Sequence, residues 1–232
     1  MVSSHVIRAE AKVFTLSEDV RAAFVTRTYV HLMGAVAAFV GIEIYLFKSG
    51  LAEPLAKSML GVSWLMVLGA FMVVSWLASR AAHQASSLGA QYAALTAFVI
   101  AQAVIFVPLL SLAQRFAPGA IQSAAGVTLL GFAGLTLVAF YSRKDFSFLR
   151  SFLAYGGIIA LVLIVAGLVF GFELGTYFSV GMVAFAGVAI LYDTSNILHH
   201  YPEDRYVGAS LELFASVALM FWYVLRLFAS RD

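Results

Sequence analysis

The chain contains no cysteine, which removes disulfides, thiol nucleophiles and thiolate metal sites from consideration. Charge is scarce as well: 11% of the 232 residues are Asp, Glu, Lys or Arg, against about 25% in a soluble domain. The net charge of +2 is too small to call for nucleic acid as a partner. Of only four prolines, Pro54, Pro118 and Pro202 fall in breaks between apolar runs, and Pro108 falls inside one. Hydrolase and nucleotide motifs are missing: there is no His-Glu-x-x-His, no Gly-x-Ser-x-Gly and no Walker loop. No enzyme is therefore expected. Residues 1–27 are mixed and charged, without the apolar core and small-residue cleavage site of a secretory leader.

What the chain has in abundance is apolar sequence, 62% of its residues, with a mean hydropathy of +0.96. A water-soluble domain of this length cannot bury so much. The apolar residues come in blocks near the ~20 residues that a ~30 Å hydrocarbon core requires. The expected fold is an all-α membrane protein, a seven-transmembrane-helix bundle with the lipid bilayer as its first partner. The blocks run about Thr28–Phe47, Ser58–Ser79, Ala90–Leu112, Ile121–Tyr141, Ser151–Gly171, Thr176–Leu198 and Tyr206–Phe228. Residues 1–27 read as a cytoplasmic arm, either a solvated tail or a short amphipathic helix through Val20, Ala23 and Phe24. Residues 28–228 form the transmembrane domain, and 229–232 a tail. Residues 48–57 read as a loop, and Pro108 predicts a kink in the third span. Glycines at Gly34 and Gly41, Gly126, Gly131 and Gly134, and Gly181 and Gly187 suit close helix approach, or reflect the ordinary glycine content of membrane helices.

Orientation follows from the basic residues. With the N-terminus inside, the inner segments carry Arg8, Lys12, Arg21, Arg27, Arg80, Arg143, Lys144, Arg150 and Arg205, and the outer ones fewer. This bias predicts a cytoplasmic N-terminus and an external C-terminus.

The polar groups inside the blocks are the candidates for function, because an ionisable side chain in hydrocarbon is costly and tends to meet a partner. Asp193 lies near the inner end of the sixth block, Glu212 and Ser216 near the inner start of the seventh, and Arg80 at the inner end of the second. Glu212 and Ser216 are four apart and share a helix face. The sharp expectation is a buried acid pair, Asp193 and Glu212, with Arg80 as counter-charge. Two carboxylates in a low-dielectric site cannot both ionise cheaply, so such a cluster responds to pH. It could hold a proton or the oxygen-ligated Ca²⁺ ion. The plain alternative keeps Asp193 at the headgroups beside Thr194, Ser195 and Asn196, Glu212 reaching water, and Arg80 as an ordinary anchor. Glu43 lies in the outer half of the first span, roughly 22 Å from the inner side. It either lines an outer vestibule or pairs with Lys48 or Lys57. His199 and His200 are adjacent, point apart and have no third ligand at helical spacing, so a turn fits better than a metal site. His5, His31 and His83 read as structural or solvated. Asp145 is expected to pair locally with a neighbouring base.

Leu191-Tyr192-Asp193-Thr194-Ser195-Asn196-Ile197 resembles the sixth-helix signature of the Bax inhibitor-1 family. Arg143-Lys144-Asp145-Phe146-Ser147-Phe148-Leu149 is similar to that family's link between helices four and five, and Ser75–Arg80 fits the end of its second helix. The ending Leu225–Asp232 looks like the bacterial branch that modulates the membrane-anchored FtsH protease. The resemblance covers about residues 20–232. It implies a bacterial inner-membrane protein with a central last helix, and a pH-dependent cation leak, of Ca²⁺ in members studied as channels. It also implies that an acid on helix six, matched by Asp193, bonds an acid on helix seven, with an Arg matched by Arg80 latching both. Here Ser216 stands where many members have Asp. Either Glu212 substitutes for it, or the dyad is broken and the pH gate with it. No cofactor is required, and Ca²⁺ is a candidate ligand of Asp193 and Glu212. An FtsH-type protease is the candidate protein partner.

Overall fold

Backbone N–H and C=O groups find no partner in hydrocarbon, so a chain of apolar blocks satisfies them by making each block a helix. The computed structural model describes residues 4–85 and 87–230, with side chains from residue 18 onward. The extreme ends of the expected arm and tail, residues 1–3 and 231–232, lie outside the described residues. The helices are α1 (Ser4–Lys48), α2 (Ala52–Leu60), α3 (Trp64–Gln84), α4 (Leu88–Phe116), α5 (Ala120–Ser142), α6 (Leu149–Phe170), α7 (Gly175–His199) and α8 (Tyr206–Ala229). All but α2 are long and apolar enough to cross a membrane, the first span being Glu18–Lys48 within α1. The fold is the seven-span helical bundle the sequence predicts.

Two boundaries differ from expectation. No break separates the arm from the first span: α1 is one helix from Ser4. Of Val20, Ala23 and Phe24, only Phe24 turns inward, where its ring stacks on Tyr201. Residues 48–57 are not a plain loop either, and the second span starts at Trp64 rather than Ser58. Residues 52–60 form α2, because Pro54 sits in its first turn, where no intrahelical N–H is needed, and Glu53 pairs with Lys57 at 2.8 Å one turn on. Ala52 and Ala56 pack beneath it with Val107, and Gly61 and Ser63 interrupt the helix before α3. α4 runs through Pro108 as a single helix.

α8 is the axis. It packs against α1, α3, α4, α5 and α7, whereas α6 touches only α7 and α3. Within lipid, apolar burial gives helices little reason to associate, and close packing has to hold them. Rings supply much of it. Phe106 of α4 stacks on Phe221 of α8 at 5.5 Å and meets Trp222 edge-on at 4.9 Å, while Phe39 of α1 meets Phe106 at 5.2 Å. Small residues supply the rest, though not mainly those singled out above. Gly131 and Gly187 do sit against Met220 and Leu135, but Gly34, Gly41, Gly126, Gly134 and Gly181 face open space. A close backbone approach between two spans is at Gly208, where a Cβ would lie 3.1 Å from the Ala82 carbonyl oxygen. A Cβ there would require the α3 backbone to give by a few tenths of an ångström.

Candidate functional site

The last turns of α3 and α7 and the first turns of α8 meet at one end of the bundle, beside residues 21–29 of α1. This end therefore collects Arg80, Asp193, Glu212 and Ser216, as their positions along the spans imply. Their pairing is a different matter.

Asp193 is partly buried between α7 and α8. Its partner is Ser216, whose hydroxyl on α8 donates to Asp193 Oδ2. Glu212 is not in that bond. One turn away on α8, its Oε1 accepts from the Ser79 hydroxyl of α3. The expected acid pair is thus split into two carboxyl–hydroxyl contacts, one tying α7 to α8 and the other α3 to α8. The physical reason is reach: Ser216 faces α7 and fills the place that a second acid would need.

Arg80 is not the counter-charge. Its side chain is exposed, its Nε donates to Gln84 Oε1 at 3.0 Å, and its guanidinium lies 5.3 Å from the Trp76 ring centre. Among the described residues it forms no ion pair with Asp193 or Glu212. Helix geometry explains this. Consecutive residues are about 100° apart around an α-helix, so when Ser79 faces Glu212, Arg80 must turn aside.

The group that does approach Glu212 is one the sequence reading left among structural histidines. His83, one turn after Ser79, has Nδ1 3.7 Å from Glu212 Oε1. Nδ1–H donates to the Ser79 carbonyl at 2.8 Å, which leaves Nε2 of the neutral ring to accept from the Tyr201 hydroxyl at 3.1 Å. Burial, and then the negative charges of Glu212 and Asp193, hold the Tyr201 phenol above its ordinary value. Arg21 of α1 donates to the Tyr201 carbonyl at 2.8 Å. The Ser79-x-x-x-His83 spacing was the available signal, since residues four apart share a face.

The sixth-helix signature has a second task. Ser195 is fully buried, and its hydroxyl accepts the Phe146 N–H at 2.9 Å. The base that pairs with Asp145 is not a neighbour in sequence but His200. Asp145 Oδ2 accepts from His200 Nε2 at 2.9 Å, and Oδ1 from the Ser147 N–H at 2.8 Å. His199 donates from Nδ1 to the Ser195 carbonyl. Ser195 and His200 thus anchor the α5–α6 link to the end of α7, and among the described residues no three His, Asp or Glu converge. Asp193 and Glu212 are two carboxyls on different helices, each already accepting from a hydroxyl. They fall well short of the six to eight oxygens of a resident Ca²⁺ ion.

Near Asp193, the hydroxyls of Tyr29, Thr136 and Thr194 are buried together, that of Tyr29 lying within interaction distance of both threonines. Glu43 is some 14 residues further along α1, roughly 21 Å from Tyr29, and belongs to the opposite end. It pairs with neither Lys48 nor Lys57: both its carboxyl oxygens are buried and unpartnered among the described residues, and Lys57 is held by Glu53.

A family model described as inhibitor of apoptosis-promoting Bax1 matches residues 21–232. An uncharacterized protein of Pseudomonas aeruginosa is 36% identical over 111 residues, 47% of this chain and 49% of that protein. Bax inhibitor 1 of Schizosaccharomyces pombe is 35% identical over 118 residues, covering 48% and 43%. The modulator of FtsH protease YccA of Escherichia coli is 34% identical over 115 residues, covering 48% and 52%. The chain spans about half the length of the curated relatives it matches.

Two outcomes test this arrangement. Ser216→Ala strands the Asp193 oxygen and should cost about 1–3 kcal/mol in detergent unfolding, with Ser216→Thr recovering part of it. Arg80→Ala, at an exposed site, should change stability by less than about 0.5 kcal/mol. The reverse order of effects would reinstate Arg80 as the latch. For Asp145, which lies outside the spans, the Ser147 N–H and then His200 hold the carboxyl below its ordinary value. Its contribution is therefore present above the unfolded Asp value of about 3.9 and lost as pH falls through the lower folded value. Asp145→Asn should speed amide exchange at Phe146 and Ser147 at neutral pH, and the difference should vanish in strong acid. Equal rates at neutral pH would discount the tie.

Proposed function

The chain belongs to the Bax inhibitor-1 family, and we propose that within it this protein is a non-conducting modulator of a membrane-anchored, FtsH-type AAA protease in a bacterial inner membrane. The observation that carries the reading is the contact between Asp193 and Ser216. The acid dyad that would serve as a pH gate is replaced by a carboxyl and a hydroxyl, and Arg80 stands clear of both. A relative of matching similarity over its aligned half is named for modulating that protease, and the family names are those of inhibitors or modulators rather than enzymes. α1 supports the reading too. Its 45 residues would extend roughly 68 Å, about twice the hydrocarbon thickness, so its first turns project beyond the bilayer on the cytoplasmic side as an arm for a partner. With the N-terminus inside, the Asp193 end faces the cytoplasm and Glu43 the outer leaflet. Deleting residues 2–20 should abolish co-purification with the protease and alter turnover of its membrane substrates. If neither changes, the arm does not dock.

A second reading, a pH-sensitive cation leak passing Ca²⁺ or H⁺ as cargo, is favoured by a separate observation. The buried hydroxyls of Tyr29, Thr136 and Thr194 gather near Asp193, where they could help solvate an ion at that end. Under this reading, liposomes holding a Ca²⁺ dye take up the ion in a pH-dependent way, and Asp193→Asn changes that dependence. No uptake from mildly acidic to mildly alkaline buffer leaves the modulator reading alone.

A further inference from the structure

At the end of the bundle opposite Asp193, a cavity of about 650 Å³ opens between α1, α4, α5 and α8. That volume lies within the few hundred to ~1,000 Å³ of small-molecule sites. Its walls are apolar and rich in rings: Phe39, Phe47, Phe214 and Phe221 all contribute. Into this lining projects one acid. Glu43 is 7% exposed, and neither of its carboxyl oxygens has a hydrogen-bond partner among the described residues. Thr128, across the cavity on α5, is 3% exposed, and its hydroxyl is equally unpartnered. Among the described residues, no Lys, Arg or His lines the cavity.

An acid set in hydrocarbon without a counter-charge is expensive and marks a site that expects one. The described residues that line the cavity supply no cation, so the acid is neutralised either by a proton or by a cation from outside, and a cation that enters displaces the proton. The lining narrows its kind. A small hydrated metal ion wants six or more oxygens, and the lining offers fewer: the Glu43 carboxyl, the Thr128 hydroxyl and the side-chain amides of Gln114 and Gln122, spread over three helices. An organic cation wants a single counter-charge and ring faces, because the aromatic quadrupole attracts positive charge. The cavity also includes Ala117, Pro118 and Gly119 of the α4–α5 turn, so it reaches the membrane surface, where an amphiphilic molecule would enter.

We propose that this cavity is a binding site for a lipophilic organic cation, an ammonium or phosphonium with an apolar body, with Glu43 as its counter-ion and Phe39, Phe47, Phe214 and Phe221 as its ring walls. The site is distinct from the Asp193 cluster and does not depend on how that cluster acts.

Tetraphenylphosphonium is the probe, with tetraphenylborate as the anion of the same shape. Equilibrium dialysis against the purified full chain in detergent, corrected for empty micelles, should give saturable binding of one phosphonium per chain. The borate should show none. Glu43→Gln should weaken phosphonium binding by about tenfold or more, since removing one side of a desolvated charge pair is costly. Ala125→Phe, which fills the cavity from α5 and keeps the acid, should block binding while the unfolding midpoint stays near that of the natural chain. It also serves if Glu43→Gln fails to fold. Equal binding of both ions, undiminished binding in either folded variant, or a tightly held neutral lipid chain that the phosphonium does not displace would overturn the proposal.

Discussion

Inside the bundle, the carboxyl of Asp193 on α7 is met by one hydroxyl, that of Ser216 on α8. The cost of leaving such a group unmatched in hydrocarbon fixes how the two helices turn toward one another. With α8 set by that contact, Glu212 comes round to α3 and takes the Ser79 hydroxyl. The same turn of α8 brings Gly208 against the Ala82 carbonyl. The register of three spans therefore follows from a pair of carboxyl–hydroxyl contacts one helical turn apart. Ring packing by Phe106, Phe221 and Trp222 completes what those contacts orient.

The outward faces answer to a different solvent. Met66, Val73, Leu130, Ile158, Val162 and Phe170 are exposed, which would be a liability in water and is the normal covering of a span in lipid. The few charges that remain gather at the ends. Arg205 donates to the Ala85 carbonyl at 2.6 Å, and Arg21 ties α1 to the α7–α8 turn. These ties brace the loops where the spans leave the bilayer.

Much of this was legible in the sequence. Seven apolar blocks near the length of a bilayer core leave few choices of fold, and short links force neighbours to run antiparallel. The depth of Asp193, Glu212, Ser216 and Arg80 along their spans could be counted residue by residue, and all four do share one end. What counting could not supply was rotation. Whether Ser79 or Arg80 faced α8 depended on how α3 packs, and a charged residue drew attention from the serine beside it. The same limit hid His83, which looked like one more histidine at a span end. α2 was missed because Pro54 reads as a breaker unless its place in a first turn is known. The tie between Asp145 and His200 links residues 55 apart, beyond any local pattern.

α6 sets only Ala160 and Gly167 into the buried interior and rests on α7 and α3 alone. Phe185 of α7 lies over Gly156, where a Cβ would come within 2.9 Å of its ring. Peeling this helix sideways would open the space between α3 and α7, which make no direct contact with one another. Five helices thus flank the axial helix, and α6 is the outer stave that closes the collar between α3 and α7. The bundle's lateral seam, rather than its centre, is where another transmembrane helix could be admitted at least cost.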